Sequence, residues 1–258
     1  MTSLATCDRL TVRYPGAARP ALADLTLALH AGEKLAVVGE SGSGKSTLAR
    51  ALAGLLPVGT ALSGAIRWSG PPPRPGRDIG TVFQDPGASL DPLLTVGAHL
   101  VEGLRAPLPL GRAEARARAA ALLARVHIPD PERALAAWPH QFSGGQAQRI
   151  AIALAIAAGP HLLVADEATS ALDVLVQAEI VALLRELCRD AGMTLLFITH
   201  DIALAGTLAD RVAVLHDARL VEIGPAARLL AAPREPYTRA LLAAQLDLAS
   251  PRLVGTRP

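Results

Sequence analysis

Apolar and polar positions alternate over residues 10–14 and again over 22–29, with Pro15-Gly16 between the two runs and Ala31-Gly32-Glu33 closing the second. A side-chain period of two is that of a half-buried strand, and turns at this spacing predict a short antiparallel layer. Residues 35–38 (Leu-Ala-Val-Val) are apolar without a break, the pattern of a parallel strand buried on both faces. A glycine-rich loop follows, then helical spacing over residues 46–56, stopped at Pro57. Residues 66–68 and 79–83 read as further short strands. Between them Pro71-Pro72-Pro73-Arg74-Pro75-Gly76 excludes regular structure.

From about residue 88 to 158 the spacing becomes helical. Residues 113–126 are rich in Ala, Arg and Leu, and Arg112, Arg116, Arg118 and Arg125 fall on or beside this helix. They read as a solvated face, because Glu114 interrupts the charge and no aromatics interleave. After Pro160 strands and helices alternate: strands at 162–165, 195–199 and 212–215, helices at 174–189 and 202–209. Such alternation means an α/β core around a parallel sheet. Short helices at 226–230 and 236–244 form the tail. The expected organisation is one domain, with residues 1–87 and 159–225 as core and antiparallel layer, 88–158 as a helical subdomain, and 226–258 as a helical tail.

Composition narrows the function classes. Of 258 residues, 51% are hydrophobic and 19% charged, enough apolar surface to offset the entropy of ordering. Aromatics are only 3%, so the core is built from Leu, Val, Ile and Ala. The longest apolar run, residues 150–158, is half the ~18 residues that span a bilayer, and the first ten residues lack the regions of a signal peptide. No membrane crossing is expected. A net charge of +2 does not make the basic stripe that nucleic acid needs. The two cysteines, Cys7 and Cys188, form no CxxC pair and read as buried thiols, and the seven histidines make no metal-binding cluster. Only Lys34 and Lys45 are lysine among 25 basic residues, so a lysine inside a motif carries weight.

Lys45 is in one. Gly39, Glu40, Ser41, Gly42, Ser43, Gly44, Lys45 and Ser46, with Thr47 next, fit G-x-x-x-x-G-K-[ST] between a strand and a helix. The glycines let the backbone close on phosphate oxygens, and the helix N-terminus faces the anion. Lys45 suits the β- and γ-phosphates, and Ser46 suits Mg²⁺. Taken alone this motif indicates a nucleoside triphosphate and nothing about its use. A second signal is the apolar strand that ends in Asp166-Glu167 at the sheet's C-terminal edge. Asp166 suits Mg²⁺, and Glu167 suits a water attacking the γ-phosphorus. A third is Ser143, Gly144, Gly145 and Gln146 opening an apolar helix, either a second anion surface or an ordinary N-cap.

With that segment the chain resembles the ATP-binding subunits of ABC transporters, whose signature is SGGQ. Residues 39–46 are similar to the Walker A motif, 162–166 to Walker B, Gln84 to the Q-loop, Ser170-Ala171-Leu172-Asp173 to the D-loop, and His200 to the switch histidine. Tyr14 is similar to the aromatic that stacks on adenine. By themselves His200 and Tyr14 read as a strand-end histidine and a strand aromatic. The resemblance implies a P-loop NTPase (RecA-like) core with an N-terminal antiparallel β subdomain and a helical signature subdomain. It implies that two subunits, identical or related, sandwich two ATP molecules. The 143–146 segment of one then contacts the γ-phosphate held by the other's Lys45, and Asp173 is implied to bind nucleotide. Gln84 senses Mg²⁺ and the attacking water and faces the membrane partner, while His200 contacts the γ-phosphate.

Gln84-Asp85-Pro86, Ser89-Leu90-Asp91-Pro92, residues 173–180 and the tail from Pro233 to Leu242 with its Pro236-Tyr237-Thr238-Arg239 resemble the peptide/nickel importer branch. The tail also reads as an amphipathic closing helix with Pro at its start. Ala168 and Leu154 depart from residues many members carry there, and the end at Pro258 resembles the short nickel-type subunits. The expected setting is peripheral, on the cytoplasmic side of the inner membrane. Two permease subunits bind the cassettes, an extracytoplasmic solute-binding protein acts indirectly, and no nucleic acid takes part. An exporter-type cassette and a non-transport ABC ATPase remain as alternatives.

Overall fold

Strand alternation and unbroken apolar runs sort into two different sheets. The computed structural model describes residues 2–85, 89–170 and 172–249; Pro86, Ala88, Ala171 and the 250–258 part of the tail, all included in the sequence reading, lie outside the described residues. Strands β1 (Ser3–Arg13), β2 (Leu22–His30) and β4 (Ala61–Trp68) form an antiparallel sheet in the order β2-β1-β4. Strands β3 (Lys34–Val38), β5 (Ile79–Val82), β6 (Leu162–Asp166), β7 (Thr194–Ile198), β8 (Arg211–His216) and β9 (Arg219–Pro225) form the second, in the order β5-β6-β7-β3-β8-β9. All of its pairings are parallel except β8 with β9. The C-terminal ends of five strands therefore lie along one edge.

The helices are α1 (Lys45–Ala53), α2 (Val96–Arg105), α3 (Arg112–Arg125), α4 (Pro131–Ala136), α5 (Gly144–Ala155), α6 (Val174–Ala191), α7 (Ile202–Leu208), α8 (Ala226–Ala231) and α9 (Pro236–Ala249). Because side chains alternate along a strand, β3 feeds two cores. Leu35 and Val37 pack with β1, β2 and α1, whereas Ala36 and Val38 pack with the helices of the other face. This is why residues 35–38 of the strand show no polar position. Ala115, Ala119 and Leu123 bury one face of α3, and its arginines point outward, Arg118 to Glu114 at 2.7 Å and Arg116 to Glu132 at 2.9 Å. Cys7 and Cys188 are buried, and burial pushes both thiols up to about 12. Among the described residues no helix is long and apolar enough to cross a membrane.

Several boundaries differ from the sequence reading. β1 begins at Ser3, not residue 10, because a bulge at Arg9 (φ 46°) breaks its alternation between Cys7 and Leu10. β9 was not expected. It follows a two-residue turn in which Asp217 and Ala218 both have positive φ, a hairpin geometry that usually calls for Asn or Gly. α1 stops at Ala53, three residues short of the expected end, because Gly54 takes a left-handed cap that returns its N–H to Arg50 and Ala51.

Candidate active site

The turn after β3 requires glycine at two places. A Cβ on Gly39 would stand 2.2 Å from the Leu215 carbonyl oxygen, and one on Gly44 would stand 2.5 Å from that of Ala21. Both also have positive φ. Gly44 leads straight into α1, and no side chain caps the helix, which leaves its first N–H groups available to an anion. Lys45, only 4% exposed, folds back over the loop. Its Nζ donates to the carbonyls of Gly39 at 2.9 Å and Glu40 at 2.7 Å. Burial pulls the ammonium below the usual lysine range, and the carboxylates of Glu167, Asp166 and Glu40 oppose that shift.

Next along α1, Ser46 Oγ donates to Asp166 Oδ1 at 3.0 Å, joining the loop to the end of β6. Burial raises the Asp166 carboxyl and Glu167 adds to the rise, while the Ser46 bond, Arg50 and Lys45 oppose it. The hydroxyls of Thr47 and Tyr14 lie 3.2 Å apart, placing the tyrosine that follows β1 beside the same turn of helix. Ser41 and Gly42 are exposed, and Ser43 is buried.

Glu167 has a left-handed backbone (φ 49°), uncommon for a side chain of its size. Three bonds hold it there: its N–H donates to the Ile198 carbonyl at 3.0 Å, and its own carbonyl accepts from Ser170 N and Oγ, both at 3.1 Å. The strand order places β7 between β6 and β3. His200, two residues past β7, thus comes to the acids, its Nδ1 3.9 Å from Glu167 Oε2. Exposed Gln84 leaves the sheet two residues past β5, on the far side of β6.

The 143–146 segment is assembled differently. Ser143 caps α5: its Oγ accepts from Gln146 N at 3.3 Å, while Gln146 Oε1 accepts from Ser143 N at 3.0 Å. This is a reciprocal capping box. Gly144 lies against Leu172 and Gly145 against Val176 of α6, whose first turn Asp173 caps by accepting from Val176 N at 3.0 Å. Two groups result: residues 14, 39–47, 166–167 and 200, linked by hydrogen bonds and charge, and residues 143–146 with 172–176, linked by packing.

Sequence reading gave His216 no role and named Tyr237 only as part of the tail element, not of the site. Yet their rings stack with centroids 3.9 Å apart, and the Tyr237 hydroxyl accepts from Glu40 N at 3.1 Å. No sequence signal marks this contact, since the partners are 197 positions apart.

With the geometry in place, the chain was compared with known proteins. The ABC transporter family model matches residues 22–170. The oligopeptide transport ATP-binding protein OppD of Bacillus subtilis is 42% identical over 234 residues, covering 86% of this chain and 65% of that protein. The dipeptide transport ATP-binding protein DppD of Escherichia coli is 39% identical over 260 residues, covering 96% and 80%. Among solved structures, the dimeric post-hydrolysis state of the ATP-binding cassette MJ0796, bound to ADP and Pi, superposes with a TM-score of 0.74. Its identity is 29%, with 86% of this chain and 99% of that one covered.

Proposed function

The chain belongs to the ABC transporter family and is an ABC-type ATPase, and from that premise we propose that it binds and hydrolyses ATP to energise the import of peptides. The observation that carries the chemistry is the single sheet edge joining Lys45, the Ser46–Asp166 pair and the Glu167–His200 pair. What favours peptides as the solute is that both named relatives serve oligopeptide or dipeptide transport.

Lys45 exchanges its loop carbonyls for the β/γ-phosphates and neutralises charge there, while the first N–H groups of α1 receive the remaining phosphate oxygens. A hydroxyl and a carboxylate 3.0 Å apart are the hard oxygen donors that suit Mg²⁺. Ser46 and Asp166 would hold it, with Gln84 entering from the neighbouring strand end. The metal, when bound, supplies positive charge against the phosphates. Glu167 orients and deprotonates the attacking water, and His200, beside it, contacts the γ-phosphate. Tyr14 stacks on adenine, its hydroxyl steadied by Thr47. A second cassette supplies its own 143–146 segment and Asp173 to close the site, and the cassettes dock on membrane permease subunits at the cytoplasmic face.

Uptake of labelled di- and oligopeptides by cells carrying either the wild-type chain or Lys45→Ala tests the reading. Loss of uptake in the variant is expected. Undiminished peptide uptake, with ATPase lost, would reject the peptide assignment.

A further inference from the structure

The tail of the chain reaches the phosphate loop. Glu222 on β9 accepts from the N–H groups of Arg234 at 2.9 Å and Glu235 at 3.2 Å, fixing the turn before α9. Arg239 donates back to the Pro233 and Arg234 carbonyls at 3.3 and 2.6 Å, closing the same turn. Pro236 at the helix start adds a preset φ. Tyr237 is thereby aimed along the edge of the sheet. Its ring stacks on His216 at the end of β8, with an interplanar angle of 25°, and its hydroxyl meets Glu40 N.

The peptide it meets is the one between Gly39 and Glu40. That peptide is trans, so its N–H and C=O point in opposite directions. The N–H goes to Tyr237, and the C=O accepts from Lys45 Nζ at 2.9 Å. Glycine on one side leaves the plane torsionally soft. Two side chains, one from α1 and one from α9, hold it from opposite faces. The geometry points to Tyr237 as a positioning residue for nucleotide binding, whose hydroxyl fixes the Gly39–Glu40 peptide and so the carbonyl against which Lys45 is pre-oriented. Burial raises the phenol above its ordinary value, and Tyr237 is therefore a neutral acceptor at physiological pH. The role makes α9 part of the ATP site and not only a closing helix. It rests on the ATPase reading above.

Tyr237→Phe separates the hydroxyl from the stack. The full-length variant should stay folded and melt within about 6 °C of wild type, the worth of one lost hydrogen bond, because the ring still packs on His216. Its affinity for Mg-ATP should fall by about 2- to 10-fold, the worth of one net hydrogen bond. With the partner cassette present, KM should rise more than kcat falls, since the bond acts on the loop before chemistry. In the nucleotide-free protein the Glu40 amide should exchange with solvent faster than in wild type. Wild-type ATP affinity in Tyr237→Phe, or an unchanged Glu40 exchange rate, overturns the proposal. Failure of the wild-type protein itself to bind ATP would overturn the ATPase reading first, and this proposal with it.

Discussion

Replacing Lys45 with alanine removes the one ammonium group at the loop. In the resting site that group makes two bonds to carbonyls, at 2.9 and 2.7 Å, each charge-assisted and worth ~1.5–3 kcal/mol. On the proposed reading bound ATP would take over the same ammonium, so ground-state binding would register only the difference between carbonyl and phosphate partners. The larger loss falls where charge develops on the transferring phosphoryl group, and one preorganised donor there contributes ~3–4 kcal/mol. At ~1.4 kcal/mol per tenfold, turnover should drop by about 10²- to 10³-fold. Asp166 and Glu167, whose charges Lys45 faces, are left to repel the phosphates. Lys45→Arg should not rescue, because a site only 4% exposed must then admit a planar guanidinium. Steady-state phosphate release with the partner cassette at saturating Mg-ATP, alongside a thermal melt, measures this. Turnover indistinguishable from wild type in a folded Lys45→Ala protein refutes the phosphate-loop assignment.

Glu167→Gln should cut hydrolysis by roughly 10²- to 10⁴-fold while ATP still binds. The trapped nucleotide should then hold a cassette dimer, seen by light scattering after chromatography, and a variant that binds ATP yet stays monomeric with its partner argues against the sandwich. Asp166→Asn removes a half-buried carboxylate whose ionisation the fold disfavours, so the nucleotide-free protein should melt higher, by about 2–4 °C for each kcal/mol recovered. It should lose the extra stability that Mg-ATP confers on wild type, and a lower melting point would contradict the burial argument. Arg211→Ala strands Glu33, 3% exposed at its side chain and paired to Arg211 at 2.9 Å. Urea unfolding should show a loss of ~3–5 kcal/mol, and a loss near zero would show that His30 N, which also donates to Glu33 at 2.7 Å, suffices.

Legibility in the sequence followed burial. β3, β6 and β7 are apolar on both faces and could be read directly, as could the helical spacing of α6. β4 and β9 escaped in whole or part because they are edge strands in which no residue is fully buried, which weakens the apolar pattern. At the site, the residues within one local run stood out: the glycine loop, the Asp-Glu pair and the Ser-Gly-Gly-Gln segment. What could not be read was geometry set by distant partners. Nothing in the sequence announces that Glu167 adopts φ 49°, since that conformation is imposed by Ile198 and Ser170. Nor does it announce that Tyr237 lies on the phosphate loop, because strand order, not spacing, brings β8 and the tail beside β3.

If the loop after β3 holds phosphate as proposed, the arrangement also explains how it avoids collapse before phosphate arrives. Lys45 would be a costly buried cation if unpaired, and the half-buried Asp166 a costly anion. Each has an internal substitute partner: two loop carbonyls for the ammonium, the Ser46 hydroxyl for the carboxylate. These substitutes are neutral, so their bonds are weaker than those a phosphate or a divalent cation makes to the same atoms. The resting site is therefore satisfied enough to keep its shape and unsatisfied enough to prefer nucleotide. The 143–146 segment follows the same logic. Its serine and glutamine close a capping box on each other, holding the α5 N-terminus rigid at an exposed surface. If that rigid, positively polarised helix end meets a second subunit's nucleotide as proposed, the meeting would cost little further ordering.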